Sequence, residues 1–282
     1  MRTREHGALG DSRRYIPSRH ITTVPVEMAS HFQIFTIFVF LILNIMKPIF
    51  WRKGRFPLKM IVSDLLEDVI CTASANAERF IKNTKYTTFT YGERQMTSIL
   101  APAFHIHTDG MILEYPSTRK RGVKNHPARA DFYCYCHNGL KDYRIFVELK
   151  SGYQVLPLTN GFDNVNTYLY EQACDDIRGL INEVRGANRD FYSGVPVVRV
   201  GMVAIPLFSS GEDDDIKIDG KKIVKEASKQ FTYKSPDMDC NLIGYWKVDK
   251  RLRESFKQEW EGDNCTLQGI LYVCHIMESI TV

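Results

Sequence analysis

ADFYCYCHNGLKDYRIFVELK, residues 130–150, is the stretch on which the fold turns. It holds two strand-like runs, ADFYCYC (130–136) and YRIFVELK (143–150). Between them His137–Asp142 carries an Asn138-Gly139 pair, and that dipeptide tolerates the positive φ a tight hairpin turn demands. The runs are therefore predicted to pair antiparallel. Along the second run Ile145, Val147 and Leu149 point to one face, and Phe146, Glu148 and Lys150 to the other. Two opposite charges thus emerge together near the end of a strand whose other face is apolar. Asp131, at the start of the first run, is brought by antiparallel pairing to the same sheet edge as Glu148 and Lys150.

Working outward, apolar residues at Ile61, Leu65, Val69, Ile70, Ala73, Ala77, Phe80 and Ile81 keep helical spacing. They predict an amphipathic helix over 61–81, capped near Ser63 or Asp64. A β-branched run, YTTFTY (86–91), leads through Gly92 to a second helix from Glu93 to about Phe104, halted around Pro102. MILEY (111–115) is a strand candidate, and a long helix is predicted from about Val165 to Val184. PVVRVGMVAIPLF (196–208) is a continuous Val-rich run, the pattern of a strand buried on both faces. Further on, Glu212–Asp215 and the Lys-rich stretch to 229 read as a solvated excursion. A strand at LIGYWKV (242–248), a charged helix over 250–261 and an apolar segment at 267–277 close the chain. The expected class is α/β, in an α+β-like arrangement: a mixed central sheet flanked by helices and preceded by one N-terminal apolar helix.

The chain has 282 residues, 37 Lys plus Arg, 33 Asp plus Glu and a formal charge of +4. Its composition, 44% hydrophobic and 25% charged, is globular and excludes a wholly disordered, collagenous or multi-span membrane protein. The charge is unevenly spread: residues 1–59 hold 10 basic and 3 acidic side chains, while residues 60–282 hold 27 and 30. Any nucleic-acid binding must then come from local basic patches rather than from the field of the whole body. Seven cysteines, odd in number and without repeated spacing, argue against a disulfide framework and place the folded part in a reducing compartment such as the cytoplasm.

Residues 1–31 read as a disordered basic leader. HFQIFTIFVFLILNIMKPIFW (31–51) has an apolar core from Phe32 to Met46, shorter than the roughly 20 residues that cross a bilayer. Extending it to Trp51 reaches that length by including Lys47 and Pro48. A single membrane anchor over 32–51, a signal peptide without a cleavage site, and a true start at Met46 or Met60 all stay open. The domain scheme is this leader, the apolar segment, and a domain over 60–282 with its core at about 92–208 and a C-terminal extension over 209–282.

Two carboxylates and an amine at one sheet edge suit phosphodiester hydrolysis. Hard carboxylate oxygens and one backbone carbonyl can hold Mg²⁺, and a neighbouring lysine can orient the attacking water or offset developing charge. Asp131, followed after sixteen residues by Glu148-Leu149-Lys150, resembles the PD-(D/E)XK nuclease superfamily, whose restriction-endonuclease-like core runs αβββαβ. The resemblance covers about 115 residues, with Ala130 where the family has its proline. It implies a nuclease acting on DNA rather than RNA, using Mg²⁺ or Mn²⁺. Asp131, Glu148 and the Leu149 carbonyl would ligate the metal, and Lys150 would assist the water. Glu93, on the first core helix, would act through a metal-bound water. Gln172, one turn beyond Tyr168 on the helix after the lysine strand, would position substrate.

STRKRGVKNHPAR (117–129) carries Arg119, Lys120, Arg121, Lys124 and Arg129 with no acid. It reads either as a loop that contacts phosphate or as a merely solvated one. Cys134-x-Cys136-His137 matches a zinc pattern weakly, and Cys134 and Cys136 are assigned to the core with Ala130 and Phe132. His105 and His107 show no carboxylate partner in the sequence. Two other functions remain beside the enzyme: a catalytically inactive binding or scaffold domain on the same fold, and a membrane-anchored domain that docks a partner. The oligomeric state is not legible.

Overall fold

The computed structural model describes residues 47–54, 57–121, 124–139, 141–181, 194–210, 219–233, 239–253, 258–260 and 263–278, all within one unit spanning 44–282. The elements are β1 (Ile49–Arg52), α1 (Pro57–Thr84), α2 (Glu93–His107), β2 (Gly110–Arg121), β3 (Lys124–His137), β4 (Asp142–Ser151), β5 (Gln154–Leu156), α3 (Asn164–Gly179), β6 (Leu180–Ile181), β7 (Val197–Ser210), α4 (Gly220–Gln230), β8 (Leu242–Lys247), α5 (Lys250–Arg253), β9 (Gln258–Trp260) and β10 (Asp263–Glu278). The architecture is α+β with a mixed central sheet. Eight strands run β1-β8-β10-β7-β4-β3-β2-β6, with β5 beside β7 and β9 beside β10. β4 and β7 are parallel, so the chain must cross over between them, and α3 is that crossover.

Burial explains the layers. β7 alternates between two cores: Val198, Val200, Met202 and Ala204 pack with α1 and α2, whereas Val203, Ile205 and Leu207 pack with α3 and α4. The Val-rich run is thus a strand buried on both faces, as predicted. Each fully buried aliphatic side chain of this kind contributes roughly 1.5–3 kcal/mol. In β4, Ile145, Val147 and Leu149 face the α1–α2 core. On the opposite face of β4, Phe146 packs against Ala130, Leu180 and Val197.

Several boundaries depart from the sequence reading. α1 begins at Pro57 rather than at a cap near Ser63 or Asp64; Ser63 instead turns its hydroxyl back to the Lys59 carbonyl at 2.7 Å. Pro102 lies inside α2 and does not halt it. Its missing N–H leaves the acceptor of exposed Ser98 to solvent, while buried Ala103 and Phe104 hold the next turn to the core. The helix expected to reach Val184 ends at Gly179, because Leu180 and Ile181 pair with β2. Within 250–261 only Lys250–Arg253 is helical, and Gln258–Trp260 is a strand against β10. The stretch to 229 includes a regular helix, α4; Glu212–Asp215 lie outside the described residues.

Residues 117–121 and 124–129 are not a loop but the outer parts of β2 and β3, paired from Ser117↔Ala128 to Arg121↔Lys124. The C-terminal extension over 209–282 supplies β8 and β10, and β10 pairs with β7 from Cys265↔Ser210 to Glu278↔Val198 and joins β8 and β1 to the sheet. Ile49, Phe50 and Trp51 pair with β8 as β1, which rules out an apolar helix continuing through Trp51. The leader and residues 32–46 lie outside the described residues. Among the described residues no helix is long and apolar enough to cross a membrane.

Candidate active site at the β3–β4 fork

The β3–β4 hairpin closes at the turn as the Asn138-Gly139 pair predicts: Gly139 has φ +79°, and the Asn138 amide and side chain bond Lys141. From His137↔Asp142 the ladder runs to Phe132↔Val147 and stops there. Beyond that point β3 stays with β2, while β4 stays with β7 as far as Ser151. The two strands fork. Asp131 stands on one branch, and Glu148, Leu149 and Lys150 on the other. Asp131 is therefore in the middle of β3 and not at its start, yet it reaches the expected neighbours because the ladder ends beside it. Its Oδ2 accepts the Leu149 N–H at 2.6 Å, replacing the backbone bond that the fork removes.

Glu148 is almost fully buried and engaged by two cations. Lys150 Nζ donates to Oε1 at 2.8 Å, and Arg119 Nη2 to Oε2 at 3.0 Å. Both cations also meet Asp176 on α3: Arg119 Nη1 lies 2.9 Å from Oδ1, and Lys150 Nζ lies 3.4 Å from Oδ2. Two acids and two bases thus form a closed ring. Side-chain exposure is 13% for Arg119 and Lys150, 14% for Asp176 and 6% for Glu148. Such a network must offset a desolvation cost of several kcal/mol per ion and is weak evidence for stability.

Two features set the ring. α3 approaches β7 closely at Gly201, where an added Cβ would lie 3.2 Å from the Ala173 backbone. Gly201 is also the register partner of Glu148. The absent side chain therefore lets α3 settle beside Glu148 with Asp176 one turn past Gln172. At the end of α3, β6 pairs Leu180 with Arg119, tying the helix end to the strand that carries the guanidinium. A stacked pair, Tyr115 and Tyr133 at 4.4 Å between centroids, packs with Phe146 beside the fork.

The ring is neutral, but Asp131 and Glu93 add further negative charge. Burial pushes the Asp131 carboxyl up to about 6 against the pull of the Leu149 N–H, and Glu93 adds to the rise. Glu93, in the first turn of α2, is also raised by burial, while Lys150 pulls it down and Glu148, Glu114 and Asp176 push it up. Burial raises Glu148 too, with Lys150 opposing and Asp131 reinforcing. Burial works against the Lys150 ammonium, but Glu148, Glu93 and Asp176 outweigh it and hold its pKa above the ordinary lysine value.

Asp131, Glu148 and Lys150 are therefore brought to one place, and Glu93 lies within their electrostatic field. Gln172 is exposed on α3, as is Tyr168, and the residue of that helix that meets the cluster is Asp176. Of the basic residues assigned to phosphate, Arg119 is buried in the ring, Lys124 is exposed, and Arg129 is exposed with Glu114 at 3.6 Å. The side chains of Lys120 and Arg121 lie outside the described residues. Cys134 and Cys136 are buried in the core, and His137 turns outward to Asp142 at 2.7 Å, so the three do not form a zinc site. His107 is held by Thr72 at 2.7 Å and does feel a carboxylate, that of Asp68.

Among the described residues no three His, Cys, Asp or Glu side chains form a group that could hold a metal ion. A divalent ion would thus take two carboxylates at most, with the Leu149 carbonyl and water completing its shell. The donor chemistry fits that arrangement. The oxygens are hard, and only Oδ2 of Asp131 is engaged, by the Leu149 N–H. Compared with known proteins, the chain matches no family model, no curated protein and no solved structure.

Proposed function

We propose that this protein is a divalent-metal-dependent nuclease, built on a restriction-endonuclease-like αβββαβ core, that hydrolyses phosphodiester bonds in DNA, with RNA the less favoured substrate. One observation supports the reading: Asp131 on β3 and Glu148 and Lys150 on β4 lie together at the fork, and Glu93 on α2 is within their electrostatic field. From α2 to β7 the elements follow the order helix, three strands, helix, strand, with β5 and β6 as short additions.

Asp131, Glu148 and the Leu149 carbonyl would hold Mg²⁺ or Mn²⁺. The bound ion would polarise the phosphoryl oxygen and lower the pKa of a ligated water. Lys150, kept protonated by its acidic neighbours, stabilises charge developing on the phosphoryl oxygens; it is not positioned to act as a neutral base. Glu93 acts as a proton acceptor for water at the fork, a role its raised pKa suits. Lys124 and Arg129, exposed on the β2–β3 arm, contact the phosphate backbone without reading sequence.

The test is the purified full chain with Mg²⁺ or Mn²⁺ on plasmid, single-stranded DNA and RNA. Cleavage that disappears in Glu148→Ala and Lys150→Ala supports the enzyme. The closed ion ring around Glu148 favours a second reading, an inactive binding domain on the same fold. DNA binding without cleavage under either metal would establish that reading instead. A membrane tether through residues 32–46 is tested by fractionating the full chain; recovery only in the soluble fraction removes it.

A further inference from the structure

Both oxygens of Glu148 are occupied, one by Lys150 and one by Arg119. Each oxygen keeps a second lone pair, but a divalent ion bound there would lie against one of these cations and repel it. Lys150 sits two residues away on the same strand and is held at the fork by Asp176 and by the field of Glu93. Arg119 is the removable partner. It arrives from another strand, β2, and after leaving Glu148 it would still have Asp176 at 2.9 Å. Its present seat is also incomplete: Arg119 Nε is buried without a hydrogen-bond partner. So is the hydroxyl of Ser117, two residues earlier on the same face of β2. Two buried polar groups without a partner on one face of β2, one of them on the arginine that holds Glu148, can both donate to an oxyanion.

We propose that Arg119 is the resident counter-cation of the metal-free site, that it leaves Glu148 when a divalent ion binds there, and that its freed guanidinium, with the Ser117 hydroxyl, then takes the substrate phosphate. The inference rests on the nuclease reading and deepens it. Arg119 and the metal compete for one carboxylate oxygen, so the metal-free site is latched shut by its own arginine. Metal and phosphate enter together because each relieves what the other leaves behind. The metal repels the guanidinium from Glu148, and the phosphate satisfies it elsewhere.

The test is Mn²⁺ titration of the full chain by calorimetry without nucleic acid, alongside cleavage kinetics on DNA. Arg119→Ala should bind Mn²⁺ at least about tenfold more tightly than the unaltered protein, while its KM for DNA rises about tenfold. Opposite movement of the two readouts is the signature; a structural role would make both worse together. Arg119→Lys keeps the charge but cannot span both carboxylates. It should also tighten Mn²⁺ binding, and it serves as the reporter if the alanine variant fails to fold. Unaltered protein that binds Mn²⁺ and cleaves DNA, with neither variant binding the ion more tightly, would overturn the latch and leave the nuclease standing. Absence of both Mn²⁺ binding and cleavage in the unaltered protein would remove the two together.

Discussion

The β3–β4 hairpin has two ends, and each presents charge. At the turn His137 and Asp142 pair at 2.7 Å in the open, with side chains 54% and 42% exposed. At the fork Glu148, Lys150, Arg119 and Asp176 lock together with side-chain exposures of 6% to 14%. The same two strands thus carry an ion pair that water screens and another that water barely reaches. Exposed pairs contribute little. Buried ones shift pKa values and must have their charge matched, so they are where chemistry gathers. What separates the ends is the ladder: backbone pairing continues to the turn, while at the fork it stops, and side chains fill the space between the strands.

The sharpest way to break the contrast is at the buried end. Glu148→Ala and Lys150→Ala should each lower cleavage by about 10³-fold or more, read as kcat on plasmid. Next comes the packing that sets the ring. Gly201→Ala puts a Cβ 3.2 Å from the Ala173 backbone, which must yield by a few tenths of an ångström; it should cost about 1–2 kcal/mol in a denaturant melt and lower cleavage up to about tenfold as Asp176 shifts with α3.

Asp131→Asn separates stability from activity. The Asp131 pKa rises from 3.8 to about 6 on folding, so the unfolded chain loses its proton first and stability falls as pH climbs between those values. Asparagine can still accept the Leu149 N–H but carries no charge to desolvate. It should stabilise the protein by about 1–3 kcal/mol at pH 7, a gain that vanishes below about pH 4, while abolishing cleavage. In the unaltered protein the same carboxyl should make metal affinity drop as pH falls below about 6, because protons and metal compete for it. The smallest effect belongs to the turn. His137→Ala should leave both Tm and cleavage unchanged, and any measurable loss of activity there would erase the distinction between the two ends.

Alternation in YRIFVELK and the Asn138-Gly139 turn were enough to place Glu148, Lys150 and Asp131 together, because strand period and hairpin direction are local properties. The helix carrying Glu93 and the buried β7 followed from equally local patterns. Asp176 was hidden because its role depends on how closely α3 approaches β7, which Gly201 decides across the sheet. The available signal was its place four residues after Gln172, on one helix face. Arg119 was legible as a phosphate contact, but its place in the buried ring was hidden by its neighbours, because the basic run at 119–124 resembles a loop. Read instead as a strand, it aligns Tyr115, Ser117 and Arg119 on the face of Phe146 and Glu148. The joining of β10 to β7 was illegible for a related reason, since long-range pairing leaves no period in the sequence.

Two acids from different strands are expected to share one divalent ion at the fork. Calorimetric titration of Mn²⁺ into the metal-free chain at pH 7.5 (about 1.5 pH units above the raised Asp131 carboxyl) should show one site, lost in both Asp131→Ala and Glu148→Ala. Binding that survives both substitutions, or no heat at millimolar metal, would contradict it.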